Sequence, residues 1–343
     1  MGEAELRERP ASEAEPIFFK EISAPDRRPA EAGILTFSNG SSDDPAVLRN
    51  AVAVGRGLRL PVTIAGVVEA PQQPGSPADP VQWQLLRHEH QDQVERLVAL
   101  ESADTALATI LLSGSASDQL VKWGAGHGAV VLALATRDGG ESRPGALGTI
   151  AERVAERSSA SLLLVPPSAT AAAQPHYHKL LVPLDGSSRA ESVLPVASRI
   201  ARAHGAEIVL VHVVPRATLV HNHLGQQASK LSAQLCEENE RIAREYLDDV
   251  RRKLCNSGLR VRAIITTDGD PRGVLRQVAA QQRIDLVVVS SHGQTGLADV
   301  PLGSVAEYLA AHSPAPLLIV RPTFNHGFGT APAAPANVRL VQR

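Results

Sequence analysis

The sequence has few aromatic side chains and almost no net charge. Aromatic residues make up 3% of its 343 residues, and 34 basic against 36 acidic side chains leave a formal net charge of −2. Proteins that bind nucleic acid rely on a basic surface, on stacking against aromatic rings, or on both. Attraction to an anionic membrane surface also needs an excess of basic side chains. We therefore expect neither nucleic acid nor a membrane as a partner.

Long apolar runs and cysteines are scarce too. Every apolar run is far shorter than the roughly 20 residues of a membrane span, and the first residues contain no apolar core of the signal-peptide kind. These absences predict a cytoplasmic protein. Cys236 and Cys255 are the only cysteines, and they fall in one predicted helix, too far apart for a disulfide and without metal-ligand spacing. We expect ordinary thiols and no metal site.

Short apolar segments alternate with longer amphipathic ones along most of the chain. Such alternation predicts parallel sheets with right-handed crossovers, here with five strands in each half. The predicted strands are 33–37, 61–68, 108–112, 130–134 and 161–165 in the first half, and 179–184, 208–214, 261–266, 284–289 and 317–320 in the second. The predicted helices include 45–54, 81–100, 149–156 and 189–204. Pro195 predicts either a kink in the last of these helices or a later start of its regular part.

The two halves repeat one pattern. The segment LGTIAERVAERSSASLLLVPP at 147–167 returns as LGSVAEYLAAHSPAPLLIVRP at 302–322. Asn39 and Asp185 are 146 positions apart, whereas Gly148 and Gly303 are 155 apart, so nine residues were gained or lost between the second and third strands. The sequence therefore predicts a tandem duplication of one α/β domain. The predicted boundaries are an N-terminal mobile arm at 1–30, domains at 31–167 and 178–322, a linker at 168–177 and a polar tail at 323–343.

The stretch 284–321 reads as a strand, a polar loop, a short helix and a second strand. In open α/β sheets, ligands bind where the strands end at their carboxyl edge. The first amides of the helix have no internal partner and favour negative charge, which places Gly303, Ser304 and Val305 to hold a phosphate. Gly293 has no Cβ and would let the backbone approach the same anion. The pattern thus predicts a phosphate site at this edge.

Four segments of the second half carry a resemblance to a known family. KLLVPLDGSS, EIVLVHVV, DLVVVSSHGQTGL and LGSVAEYLAAHSPAPLLIVRP together resemble the signature stretches of universal stress protein domains. The resemblance covers 178–322 strongly and 33–167 more weakly. Nucleotide-binding members carry G-x2-G-x9-G-[S/T], which here reads Ser290-x2-Gly293-x9-Gly303-Ser304, so serine replaces the first glycine. The resemblance implies two Rossmann-like (adenine nucleotide alpha hydrolase-like) domains, each a five-stranded parallel sheet with helices on both faces.

The resemblance also implies ATP as the ligand, with or without Mg²⁺, and a role for each matching residue. Pro183, Asp185 and Val213 would meet the adenosine end. Val289, Ser290 and His292 would line the cleft, and Gly293, Gly303, Ser304 and Val305 would hold the phosphates. Ordinary alternatives stay open: Asp185 is also a typical turn aspartate, the glycines are typical of turns and helix starts, and His292 of a loop.

The first half departs from this pattern. Asn39 stands where Asp185 does, Arg137 where His292 does, and Asp138 where Gly293 does. A carboxylate at a phosphate turn adds a Cβ and a like charge, so we expect this half not to bind ATP. A salt bridge between Arg137 and Asp138 is the competing structural interpretation. Gly148 and Thr149 remain at the helix start.

The favoured function is a stress-response protein that binds one ATP in its C-terminal domain and changes its interactions with nucleotide occupancy. A slow ATPase and a structural interaction module without nucleotide are the alternatives. In the family, the last strands of two domains pair, which here would join 161–165 with 317–320 as a pseudo-dimer within the chain. An apolar edge strand left unpaired would otherwise favour association, which leaves a homodimer open.

Overall fold

The computed structural model describes residues 33–69, 80–100, 107–126, 131–137, 147–169, 176–214, 225–267, 269–294, 300–322 and 324. The predicted arm and tail lie outside these ranges, apart from Phe324 in the tail. The N-terminal lobe contains β1 Ile34–Ser38, α1 Asp44–Leu58, β2 Val62–Val68, α2 Pro80–Leu100, β3 Leu107–Ser113, α3 Ala116–Gly126, β4 Val131–Ala135, α4 Thr149–Arg157 and β5 Ser161–Val165. A single 3-10 turn, Pro167–Ala169, follows β5.

The C-terminal lobe repeats this order. It contains β6 Lys179–Pro183, α5 Ser188–Glu191, α6 Leu194–His204, β7 Glu207–Val213, α7 Gly225–Asn256, β8 Arg260–Thr266, α8 Pro271–Gln281, β9 Leu286–Ser290, α9 Ser304–His312 and β10 Leu317–Val320. The helix predicted at 189–204 is interrupted, and its regular part begins at Leu194 with Pro195 in the first turn. Proline is tolerated there because the first helical amides lack intrahelical acceptors, so the prediction of a later start is confirmed.

The ten strands of the described ranges form one sheet in the order β3-β2-β1-β4-β5-β10-β9-β6-β7-β8. Neighbours are parallel within each lobe, and the two lobes meet where β5 and β10 run antiparallel, with Leu163 opposite Leu318. The strand pair expected between 161–165 and 317–320 is therefore present. Each lobe has the order of an open, doubly wound α/β fold, as the sequence predicts.

The central strands β5, β9 and β10 are buried on both faces because helices cover both sides of the sheet. In β10, Leu318 and Val320 belong to one core, and Leu317 and Ile319 belong to the other. This alternation explains why the strands read as continuous hydrophobic runs rather than as alternating polar and apolar residues.

Helices α1 and α6 pack against each other and join the lobes on one face of the sheet. A Cβ at Gly57 would lie 3.0 Å from the Cα of Ile200, so the two helices approach each other closely at this glycine. The Nε2–H of His204 in α6 donates to the carbonyl of Ala53 in α1 over 2.9 Å. The buried hydroxyl of Tyr177 donates to Oδ1 of Asn50 over 2.9 Å. The lobes are thus connected by side chains as well as by the sheet.

The length difference between the repeats lies largely in one helix. α7 has 32 residues and α2 has 21, whereas the segments that precede these helices are equally long. Cys236 and Cys255 both lie in α7 and are free thiols. Among the helices of the described ranges, none combines the length and apolar character needed to cross a membrane.

Candidate functional site

The carboxyl edge of the C-terminal lobe brings two loops together. β6 pairs with β7 on one side and with β9 on the other, so the chain leaves β6 and β9 in opposite directions. This is the switch point at which open α/β sheets bind ligands. The loop after β6 contains Asp185, and the loop after β9 contains Gly293.

The carboxylate of Asp185 connects these loops. Its Oδ1 accepts hydrogen bonds from the amide of Ser187 at 3.0 Å and from the Ser187 hydroxyl at 2.6 Å. Its Oδ2 accepts from the amide of Gln294 at 2.7 Å, across 109 positions of sequence. The first contact is the turn geometry typical of aspartate, and the second is specific to this site. A carboxylate offers about four acceptor positions, two on each oxygen. Donors of the described residues take both positions on Oδ1 and one on Oδ2, so one position on Oδ2 remains.

Gly293 lies directly against this carboxylate. A Cβ at position 293 would stand 2.3 Å from Oδ2 of Asp185, which no real contact allows. The absence of a side chain therefore lets the loops meet. The sequence predicts that Gly293 lets the backbone approach a phosphate, and the structure adds a steric reason from within the protein.

Serine replaces the first glycine of the family pattern without disturbing this loop. Ser290 is the last residue of β9, and its hydroxyl donates to the carbonyl of His292 over 2.6 Å. The side chain thus satisfies its own polar group within the loop. This local bond explains how the loop accommodates the departure from glycine.

His292 is engaged by the protein through both ring nitrogens. Its Nε2–H donates to the carbonyl of Val300 over 2.6 Å, and its Nδ1 lies 3.1 Å from the hydroxyl of Ser291. The alternative interpretation as a loop histidine therefore has a concrete basis, since the ring holds the segment that precedes α9.

The start of α9 presents free amides at the same edge. The amide of Gly303 already donates to the carbonyl of Ser291 over 2.7 Å, so Gly303 is not available as a donor to a phosphate. The first bond within the helix runs from Glu307 to the carbonyl of Gly303. The amides of Ser304 and Val305 have no acceptor in the described part of the chain, as expected at a helix start. The hydroxyl of Ser304 lies beside them.

Apolar side chains lie at the ends of the neighbouring strands. Val289 is buried, and Val213 and Val305 pack against the same apolar cluster. Pro183, the last residue of β6, is half-buried. These four residues are the sequence-predicted members of the site that have an apolar side chain.

Two polar side chains near Asp185 were missed by the sequence analysis. The rings of His212 in β7 and Tyr246 in α7 are 6.2 Å apart. Burial lowers the pKa of His212, and the charge of Asp185 acts in the opposite direction. Burial raises the pKa of Tyr246, and the carboxylates of Glu191 and Asp185 add to this effect. Strand and helix residues of this kind carry no local motif, so no sequence signal marks them.

The corresponding edge of the N-terminal lobe keeps the backbone but not the side chains. The amide of Gly148 donates to Thr136 over 2.8 Å, as that of Gly303 does to Ser291. Oδ1 of Asn39 accepts from the amide of Ser41 at 3.0 Å, which repeats the turn at Asp185. Arg137 is exposed, and Asp138, with its predicted salt bridge, lies outside the described residues.

The buried carboxylate of Asp44 occupies part of the carboxyl edge of the N-terminal lobe. Oδ2 of Asp44 accepts from the Ser38 hydroxyl at 2.7 Å and from the Gly40 amide at 2.8 Å, and burial raises its pKa. The repeat places Ala190 at the equivalent position. The remaining cavity measures about 10 Å³, enough for about one water molecule. It is lined by Phe37, Asn39, Asp44, Leu134, Ala135, Arg137, Ile150 and Ala151. Asp44 directly precedes the predicted helix 45–54 and belongs to none of the motifs that the sequence shows.

Comparison with known proteins places this architecture in a defined group. The model of the universal stress protein family matches residues 34–166 and again residues 176–321, which is more than half of the chain. A universal stress protein of Methanocaldococcus jannaschii is 26% identical over 159 residues, covering 42% of this chain and 95% of that protein. One of Synechocystis sp. is 29% identical over 152 residues, covering 42% and 98%. The crystal structure of a universal stress protein from Archaeoglobus fulgidus covers 85% of this chain and 98% of that chain, with a TM-score of 0.57 at 16% identity, and so shares the fold.

Proposed function

The chain belongs to the universal stress protein family, and on that premise we propose that its C-terminal lobe binds one adenine nucleotide, ATP. Occupancy of this lobe then controls which surfaces the protein offers to other molecules. The N-terminal lobe is a structural partner without nucleotide. The observation that carries the proposal is the meeting of the Asp185 loop and the Gly293 loop over the start of α9.

The adenosine end of the nucleotide would lie against Asp185. The acceptor position left on Oδ2 suits a hydroxyl of the ribose or the amino group of adenine, both of which donate hydrogen bonds. The apolar ends of the strands, at Pro183, Val213 and Val289, would support the base. Ser290 and His292 would border the cleft through the loop that they stabilise.

The phosphates would lie at the start of α9. The amides of Ser304 and Val305 and the hydroxyl of Ser304 are donors at the positive end of a helix, where phosphate binding is favoured. Gly293 and Gly303 would contribute close backbone approach. No group of three metal-binding side chains occurs in the ranges that the structure describes, so a Mg²⁺ ion would be held mainly by the phosphates and by water.

Differences between the lobes support a single site. Asp44 adds a buried carboxylate where the C-terminal lobe has Ala190, and Phe37 stands where Pro183 does. The cavity at this edge of the N-terminal lobe is lined by Asn39 and Asp44. A nucleotide that entered there would meet a carboxylate and lack the contact that Asp185 supplies.

The test compares matched variants in the two lobes by calorimetric titration with ATP. Asp185→Ala removes one charge-assisted hydrogen bond to the ligand, and we expect the Kd to rise about tenfold or more. Asn39→Ala removes the same turn contact in the N-terminal lobe, and we expect an unchanged Kd. Equal losses in both variants, or no heat of binding with ATP or AMP in the wild type, would refute the proposal.

A further inference from the structure

Arg321 connects the two lobes at a single side chain. It follows β10 directly, and its Nη2 donates to the carbonyl of Ala155 over 2.6 Å while its Nε donates to the carbonyl of Ala160 over 3.2 Å. Its own amide donates to the hydroxyl of Ser161 at 3.1 Å. All three acceptors belong to the N-terminal lobe, around the end of α4 and the start of β5.

The remaining arm of the guanidinium reaches back into the C-terminal lobe. Its Nη1 donates to the carbonyl of Pro301 over 2.9 Å. Pro301 belongs to the segment 300–303, which leads into α9. The same segment is held by His292 at Val300 and by the bond from the Gly303 amide to Ser291. The contacts from His292 and Ser291 come from the loop that follows β9. The contact from Arg321 comes from a different part of the chain, directly after β10.

The chemistry of these contacts suits a cation. The last carbonyls of a helix have no intrahelical partner and carry the negative end of the dipole, so the end of α4 favours an arginine. No carboxylate pairs with Arg321 in the described ranges, and burial lowers the pKa of its guanidinium. A planar guanidinium offers five donors in a fixed arrangement, which lets one side chain hold carbonyls from two lobes.

We propose that Arg321 is a positioning residue that clamps the 300–303 segment, and with it the phosphate end of the nucleotide site, to the last turn of α4 in the other lobe. The clamp gives nucleotide occupancy in the C-terminal lobe a route to the N-terminal lobe. This use of the clamp rests on the proposed function, whereas the clamp itself does not. The repeat places Pro166 at the equivalent position, so the N-terminal lobe has no corresponding arginine.

Hydrogen exchange without nucleotide tests the clamp. The reporters are the amides of Gly303 and Ser158, which donate to Ser291 and Val154 on the two sides of the guanidinium. In Arg321→Gln we expect both amides to exchange about tenfold faster, because each segment loses its hydrogen bond to the guanidinium. The amide of Val287 in β9 should keep its wild-type rate. Wild-type rates at both reporters, or equal acceleration at Val287, would overturn the clamp.

A second arginine provides the matched control. Arg157 lies in the same last turn of α4 and pairs with Asp118 on the surface. Arg157→Gln should leave both reporter amides at wild-type rates, because its loss removes a surface ion pair only. If Arg321→Gln does not fold, Arg321→Lys replaces it. We expect the lysine variant to accelerate the same two amides by a smaller factor, and wild-type rates in it would count against the clamp.

The nucleotide readout separates positioning from general loosening. Arg321→Gln should weaken ATP binding by about tenfold and leave adenosine binding unchanged, because the clamp acts on the phosphate end alone. Equal weakening of both ligands would contradict a positioning role. If the wild-type chain binds neither ligand, the proposed function fails, and the exchange rates alone decide the clamp.

Discussion

One carboxylate organises the candidate site at the scale of single residues. Asp185 accepts hydrogen bonds from its own turn and from the amide of Gln294 in a loop that is distant in sequence. Gly293 makes this possible because any side chain there would collide with Oδ2. The contact fixes the distance between the two loops that would enclose a ligand.

Replacement of Gly293 by alanine should separate the loops. Since the new Cβ would stand 2.3 Å from Oδ2, Asp185 must turn away and lose the bond from Gln294. We expect the free energy of unfolding to fall by about 2 kcal/mol, the size of a hydrogen bond to a charged group. Chemical denaturation measures this change.

Gly273 in α8 is the control for that measurement. A Cβ at position 273 meets nothing within 4 Å, and the residue lies in a regular helix. Gly273→Ala should therefore raise the free energy of unfolding by about 0.5–1 kcal/mol through helix propensity. A Gly293→Ala variant that was as stable as the wild type would contradict the steric account.

The sequence could predict which residues meet at this edge but not how each one contributes. Gly293 and Ser304 were predicted because strand ends and helix starts follow from local patterns, whereas the role of Asp185 was implied by the resemblance to the family. The use of the Gly303 amide by Ser291 could not be predicted, because it depends on the distance between two segments in space. The same holds for His292, whose bond to Val300 forms across a loop. Asp44 was missed because its bonds from Ser38 and Gly40 form only when the turn between β1 and α1 closes.

Helix ends show a similar limit at the scale of elements. The sequence predicts that the first helix stops at residue 54, and the structure continues it to Leu58, where Arg59 takes the left-handed conformation with φ 59°. Glycine is the usual residue at such an end, and its counterpart Gly205 has φ 61°. An arginine in this place gives no stop signal, so the sequence underestimates the helix. Strand order, in contrast, follows from the repeat and the crossover rule.

The contact between α1 and α6 should make stability depend on pH. Burial lowers the pKa of His204 from its ordinary value of 6.5, and the nearby His176, Arg56 and His178 act in the same direction. The unfolded chain therefore takes up a proton that the folded chain resists. The stability that neutral His204 contributes is fully present above about pH 6.5, the ordinary pKa. This contribution is lost as the pH falls from there toward the lower pKa of His204 in the folded chain.

Urea unfolding at several pH values between 5 and 8 measures this loss, with the pH range chosen around the ordinary histidine pKa of about 6.5. His204→Leu removes the titrating group and puts the residue of the equivalent N-terminal position, Leu58, in its place. We expect the variant to lose less stability than the wild type on acidification. Parallel pH profiles for the two proteins would contradict a contribution of His204 to the pH dependence of stability.

The whole molecule is an asymmetric duplicate. Its two halves share a strand order and join through the antiparallel pair of β5 and β10 into one ten-stranded sheet. β5 and β10 are paired with each other inside the sheet, and the sheet edges are β3 and β8. A homodimer remains a prediction, and it would use surfaces other than β5 and β10. The predicted domain boundaries also remain predictions. What distinguishes the halves is the chemistry at their carboxyl edges, with Asp185 and Ala190 in one and Asn39 and Asp44 in the other.

The number of nucleotides that bind to one chain is the sharpest test of a single site in the C-terminal lobe. Native mass spectrometry of the full chain during titration with ATP counts them without reference to any variant. We predict a single bound nucleotide at saturation in the wild type and in Asn39→Ala, and a marked loss of the bound form in Asp185→Ala. Two nucleotides per chain, or a bound form that Asp185→Ala leaves unchanged, would contradict the assignment of the site to the C-terminal lobe.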